Sequence, residues 1–169
     1  NFEKFINFFE LDAENKKDKY EEINKKVLEL KKKNKDNLKK SQLKNERANI
    51  RCVALVLETR PDYCKQKHIN RMLNQGCTRV ELGLQSVYPD VLEKIKRGHT
   101  IEDTVETTKL VRNAGLKVGY HVLLGAPGSS IKRDLEMFKI LFSDERFKPD
   151  AIKIYPCMVM PETKLYDLW

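Results

Sequence analysis

Hydrophobic and polar positions in this chain change period several times, and each change marks an element. Val80, Leu82 and Leu84 alternate with Arg79, Glu81 and Gly83, the period-two signature of a strand. The segment stops on the polar pair Gln85 and Ser86, and Gly83 leaves room in mid-strand for a ligand or another backbone. Ile50 to Leu57 is a nearly continuous apolar run and reads as a strand buried on both faces, ended at Pro61. Residues 116–124 and 151–155 read as two further strands. Between them the apolar period lengthens to that of helices. One carries Ile69, Met72 and Leu73, with Asp62 as its cap and Gly76 as its stop. The next opens at Pro89, carries Val91, Leu92 and Ile95 and ends at Gly98. A third begins at the capping-box-like Thr100–Asp103 and closes at Gly115. The fourth, about 130–142, turns Leu135, Phe138, Leu141 and Phe142 inward.

Strands that alternate with helices predict an α/β fold with a parallel sheet and right-handed crossovers. A closed barrel of the (β/α)8 kind needs about 250 residues. Four strands therefore predict an open curved sheet, or part of a barrel whose first strands lie upstream.

The first 48 residues have a different texture. Phe2, Phe5, Ile6 and Phe9 share one helical face, and Tyr20, Ile23, Val27 and Leu30 make a second amphipathic helix. Residues 31–47 are dominated by Lys31, Lys32, Lys33, Lys35, Lys39, Lys40, Lys44 and Arg47. This segment reads either as a solvated helix end and flexible loop or as an arm that contacts phosphates in a salt-sensitive way. It has no aromatic residue, so base stacking is not its task. The domain boundary is placed at 48/49, with N-terminal helices and basic linker before it.

Charge sharpens this picture. The 169 residues carry a formal net charge of +8, which fits a polyanionic partner. No apolar run approaches the roughly 18 residues of a membrane span. Cys52, Cys64, Cys77 and Cys157 form no C-x2-C or C-x3-C pair, which excludes a self-contained zinc or iron–sulfur site by spacing. Free thiols in a reducing cytoplasm are expected. The chain opens on Asn-Phe-Glu-Lys, without a secretory layout, and both ends are expected to continue into a longer protein.

Four phrases, each at a strand end or just beyond it, carry a resemblance. They are Glu-Thr-Arg-Pro-Asp-Tyr-Cys at 58–64, Gly-Cys-Thr-Arg-Val-Glu-Leu-Gly-Leu-Gln-Ser-Val-Tyr at 76–88, Arg-Gly-His-Thr at 97–100 and Lys-Ile-Tyr-Pro at 153–156. Together they resemble the radical S-adenosylmethionine domain of the catalytic subunit of Elongator, closely over 49–169. Residues 1–12 are similar to the helix before the third barrel strand there, and 13–48 match poorly. The resemblance implies a partial TIM-like (β/α)6 barrel, of which this chain supplies strands three to six. It implies a tRNA wobble-uridine enzyme that uses S-adenosylmethionine, a [4Fe–4S] cluster and acetyl-CoA. The cluster reduces the cofactor to a 5′-deoxyadenosyl radical, and C5 of the uridine is the target. The cluster cysteines and the acetyltransferase domain are not in this chain. The implied partners are tRNA, acetyl-CoA and the rest of its own polypeptide, with no membrane, and the chain alone should be inactive.

Carried over residue by residue, the resemblance puts Glu58 at the methionine end of the cofactor. Gln85 would sit on its carboxylate or ribose, Arg97 on its carboxylate, and His121 at the ribose hydroxyls, where relatives often have an acidic residue. Each also has a plainer reading: a turn cap for Glu58, a polar strand end for Gln85, an ion pair with Glu93 for Arg97 and a core histidine for His121. Lys153, on the otherwise apolar strand 151–155, needs solvent, a carboxylate or an anionic ligand. It is either a contact for cofactor or acetyl donor or the structural partner of Glu81. Gly125 to Gly128 reads as a strand-to-helix turn, and His68 and His99 as surface or capping residues. Lys31, Lys32, Lys33, Lys35, Lys39 and Lys40 are the candidate tRNA contacts. Two other functions fit the same pattern: another radical enzyme of this barrel type, such as a porphyrin-pathway relative, or a basic RNA-binding scaffold whose cofactor pocket has decayed.

Overall fold

The structure is a computed structural model that describes residues 16–33 and 35–168. The helix expected at 2–10 lies outside the described residues. The chain divides into two units, residues 1–51 and 52–169.

In the first unit, α1 spans Lys16–Lys33 and α2 spans Leu38–Glu46. The flexible loop expected after residue 33 is therefore mostly helix. Asn37 makes that possible, because its side chain accepts the Lys40 N–H at 2.9 Å and caps α2. Neither helix buries a large apolar side chain: Tyr20, Val27, Leu30, Leu38 and Leu43 are all exposed.

In the second unit, four parallel strands run in the order β1 (Val56–Thr59), β2 (Arg79–Gln85), β3 (Lys117–Leu124), β4 (Ala151–Pro156). The connecting helices are α3 (Gln66–Gln75), α4 (Pro89–Lys94), α5 (Ile101–Asn113) and α6 (Ile131–Ser143), and α7 (Lys164–Leu168) follows β4. One face of the sheet is apolar. Val80, Leu82, Leu84, Val118, Tyr120 and Val122 pack there with Ile69, Leu92, Val111, Met137 and Leu141 from the helices. Tyr120 has no exposed surface, and its hydroxyl lies 2.6 Å from Thr108 Oγ1 on α5, which satisfies the one polar atom it buries. Burial and an α/β layering of this kind are what the alternation in β2 requires.

Several expectations need correction. The run 50–57 is not a strand buried on both faces. β1 starts only at Val56 and pairs on one edge with β2, and Ile50 and Val53 are 94% and 81% exposed. Asp62 does not cap a helix. It takes a bidentate pair from Arg60 at 3.0 and 2.6 Å inside a short 3-10 turn, Pro61–Tyr63. The helix proper begins after Lys65, whose N–H is accepted by His68 Nδ1 at 3.2 Å, so His68 is indeed a capping residue. Helix α4 stops at Lys94, before Gly98, which leaves Arg97 in a loop rather than on a helix. On α6 the inward residues are Met137 and Leu141, while Leu135 and Phe142 are 61% and 52% exposed. That helix is apolar over so wide an arc that periodicity alone cannot choose its buried side. The cap at Thr100–Asp103 forms as expected, with reciprocal bonds of 3.1 and 3.0 Å, and Gly76 closes α3 in the left-handed region at φ 84°.

None of the four cysteines is in a disulfide. Cys64 is fully buried, which pushes its thiol up to about 11. No helix among the described residues is long and apolar enough to cross a membrane.

Candidate active site

The opposite face of the sheet carries the polar set. Strand alternation and register place Glu58 of β1, Arg79, Glu81 and Gly83 of β2, Gly119 and His121 of β3, and Lys153 and Tyr155 of β4 on this one side. Its centre is Glu81, only 3% exposed. Arg79 Nη2 reaches Glu81 Oε1 at 2.9 Å. On Oε2, His121 Nε2 lies at 2.8 Å and Lys153 Nζ donates as well. Burial alone would raise the Glu81 carboxyl. The hydrogen bonds from Lys153 and His121 and the charges of Lys153 and Arg79 outweigh it, and bring the group down to about 2. The same contact raises the Lys153 ammonium. Of the two readings of Lys153, the structure shows the pair with Glu81. Gly119 is glycine for a local reason: a Cβ there would lie 3.1 Å from the Glu81 stem.

His121 is buried between two carboxylates. Its Nδ1 lies 3.3 Å from Glu58 Oε1, on the side away from Glu81, and its ring stands 5.6 Å from that of Tyr155. Glu58 is itself largely exposed and so remains available to a ligand. The ligand atoms of Glu58, Glu81 and His121 lie within 4.8 Å of one another, yet Lys153 already takes the cation's place on Glu81.

At the carboxyl end of β2 the ladder is interrupted. Leu82 pairs with Tyr120 and Gln85 with Val122, so β2 carries one residue more than β3 over this stretch. Such a bulge re-aims side chains and leaves carbonyls without ladder partners. Gln85 follows with φ 68°, a left-handed conformation that costs a non-glycine residue about 1 kcal/mol or more. Arg97 comes in from the loop after α4 and donates from Nε and Nη2 to Gly83 O at 3.4 and 3.3 Å. The Gly83 carbonyl thus stands where the plainer reading of Arg97 had put Glu93. A Cβ on Gly83 would overlap Arg97 Nη2 and would lie 3.3 Å from Gln85 Nε2. Gly83 is thus a floor on which an amide and a guanidinium meet. Burial, and then the nearby Arg60 charge, lower the Arg97 pKa, while Asp62 and Glu58 partly compensate. Arg60 itself passes beside Gly98, 3.0 Å from where a Cβ would be.

The structure therefore brings Glu58, Gln85, Arg97, His121 and Lys153 to one side of one sheet. Sequence reasoning missed Arg60 and Arg79, and it placed His99 on the surface or at a cap. His99 is 6% exposed, and its Nε2 lies 3.3 Å from Leu84 O. Arg79 could have been found from the alternation that exposed Glu81. Nothing local marks a loop histidine as buried. Gly125 to Gly128 is a turn, held by Asp134, whose carboxylate accepts the Gly125 N–H at 2.8 Å.

A parallel sheet with helices on one side and charged groups on the other makes this an α/β protein, and its donors converge at a strand's carboxyl end, the edge where parallel α/β folds hold their ligands. The chain belongs to the Radical SAM superfamily, whose family model matches residues 13–141. It is similar to the tRNA uridine(34) acetyltransferase of Methanocaldococcus infernus, 54% identical over 132 residues, which cover 78% of this chain and 25% of that protein. It is also similar to Elongator complex protein 3 of Homo sapiens, 42% identical over 125 residues, 74% of this chain and 23% of that one. Among solved structures it matches the archaeal Methanocaldococcus infernus Elp3 with an N-terminal deletion. The TM-score is 0.76 at 54% identity, over 79% of this chain and 32% of that chain. Coproporphyrinogen III oxidase from Escherichia coli, a radical SAM enzyme, matches with a TM-score of 0.57 at 15% identity, which is a likeness of fold alone. The chain spans about a quarter of the length of the curated relatives it matches.

Proposed function

We propose that this chain forms strands three to six of the radical S-adenosylmethionine barrel of a tRNA uridine(34) acetyltransferase that acts at C5 of the wobble uridine. The observation that carries the reading is the meeting of Gln85 and Arg97 over Gly83, at the carboxyl end of a central strand. A planar guanidinium beside an amide donor suits a carboxylate such as that of the cofactor's methionine end. Glu58, exposed and acidic on the adjoining strand, suits its ammonium or the ribose hydroxyls. His121 and Lys153 then line the space beyond, each fixed by Glu81. When bound, S-adenosylmethionine supplies radical chemistry through a cluster whose ligands are not among Cys52, Cys64, Cys77 and Cys157. The part played by this chain is to bind and orient that cofactor and to hold fixed charge around it. Acetyl-CoA and tRNA are partners of the whole protein in this reading.

Calorimetric titration of the intact protein with S-adenosylmethionine tests it. Gln85→Ala and Arg97→Ala should each weaken binding about tenfold or more and leave the melting temperature within a few degrees. Native-like binding by both variants would contradict the assignment.

The similarity to tRNA enzymes also supports a phosphate-contacting role for Lys31, Lys32, Lys33, Lys35, Lys39 and Lys40, all of them exposed. Reversing the charge of Lys31, Lys32 and Lys33 should weaken tRNA binding most at low salt and flatten its salt dependence by about two to three contacts. A variant that binds tRNA like the native protein at every salt concentration would remove this segment from the interface.

A further inference from the structure

Arg97, Gly98 and His99 form a motif of which the proposed function uses only the first residue. The bulge between Leu82 and Gln85 leaves two consecutive carbonyls, those of Gly83 and Leu84, beyond the end of β1, whose last ladder partner is Leu82. Arg97 takes the first carbonyl. His99 reaches the second, which already accepts the Ser86 N–H at 2.9 Å across the turn at Gln85, and adds a second partner to it with Nε2 3.3 Å from Leu84 O. The loop therefore closes the strand end like a clasp, and Gln85, at φ 68°, is the next residue along. Gly98 holds φ 79° between the two side chains and lets the Arg60 guanidinium pass. His99 is nine-tenths buried, and its Nδ1 has no hydrogen-bond partner. Burial and the neighbouring Arg97 charge favour the uncharged ring. An uncharged ring that meets a carbonyl through Nε2 carries its proton there, so Nε2–H donates to Leu84 O.

We infer that His99 is a positioning residue for the ligand: by tying the Leu84 carbonyl it fixes the left-handed turn that aims Gln85 over Gly83 beside Arg97. This rests on the reading of Gln85 and Arg97 as contacts for S-adenosylmethionine. A histidine kept only to fill space would tolerate any side chain of similar volume. A histidine kept for this bond tolerates only a side chain with an N–H at the same place, which glutamine supplies and methionine does not.

The test is titration of the intact protein with S-adenosylmethionine, with the melting temperature measured alongside. His99→Met should bind about tenfold more weakly, and His99→Gln within about threefold of the native protein. Equal affinity for the native and methionine proteins would overturn the inference and leave the proposed function standing. Loss in the glutamine variant as large as in the methionine variant would overturn it too. Should the methionine variant not fold, the glutamine variant decides alone, near-native binding supporting the inference and a tenfold loss refuting it. A native protein that binds no S-adenosylmethionine would refute the proposed function, and this inference with it.

Discussion

Glu81→Gln should cost the folded protein about 3 kcal/mol at neutral pH, and almost none of that near pH 2. The substitution keeps the shape and removes the charge. At neutral pH it leaves Arg79, Lys153 and His121 around a neutral amide that can satisfy only part of what the carboxylate did. Arg79 and Lys153 are 37% and 48% exposed along their side chains and can turn toward water, which keeps the loss below that of a fully buried triad. The sign follows from the depressed carboxyl. Its pKa falls from 4.5 to about 2 on folding, so its stabilisation is complete above the unfolded value and disappears as pH drops through the folded one. Urea unfolding of native and variant proteins at pH 7 and pH 3 checks both magnitude and direction. A difference between the two proteins that does not shrink on acidification would mean that the charge of Glu81 is not what stabilises the fold.

Gly83→Ala should separate ligand binding from stability. The added methyl group would occupy the place of Arg97 Nη2, the far end of a flexible side chain, so the fold can yield cheaply by releasing the guanidinium. A stability loss of about 1 kcal/mol or less is expected, because Arg97 gives up only two long hydrogen bonds to Gly83 O. Loss of the guanidinium from its place beside Gln85 should weaken S-adenosylmethionine binding about tenfold to a hundredfold. Paired measurements of melting temperature and affinity decide it. A variant that melts far lower while binding normally would make Gly83 a packing residue and move the ligand elsewhere.

How much of this was legible in the residues differs from element to element. The alternation from Arg79 to Leu84 identified both the strand and its polar face, because period two is imposed by backbone geometry. Thr100 to Asp103, Gly76 and Gly115 announced helix ends, since caps are local chemistry. The run Ile50 to Leu57 was misread, because an apolar run reports a preference for burial without saying which surface will cover it. Here it leads into an edge strand. The inward side of α6 was misread for the related reason that Met137 and Ile140 widen the apolar arc of Leu135, Phe138, Leu141 and Phe142 past half the helix, too far to choose by period.

The candidate site divides in the same way. Glu58 and Gln85 sit at strand ends and His121 and Lys153 within strands, and all four could be found by scanning along the chain. The partnership of Lys153 with Glu81 was foreseeable because a lysine on an apolar strand must find a counter-charge. The position of Arg97 over Gly83 and the clasp of His99 on Leu84 depend on a bulge and on an early end to α4. Both are settled by packing between segments 14 or 15 residues apart, so no local pattern reveals them.

The measurement that addresses the central claim most directly is hydrogen–deuterium exchange of the intact protein with and without S-adenosylmethionine. Slower exchange in the bound state is expected together at the end of β1, across Gly83 to Tyr88 and through the loop from Lys96 to Thr100, the three segments that bring Glu58, Gln85 and Arg97 to one place. Unchanged exchange in those segments, with protection appearing on the helical side of the sheet instead, would contradict it.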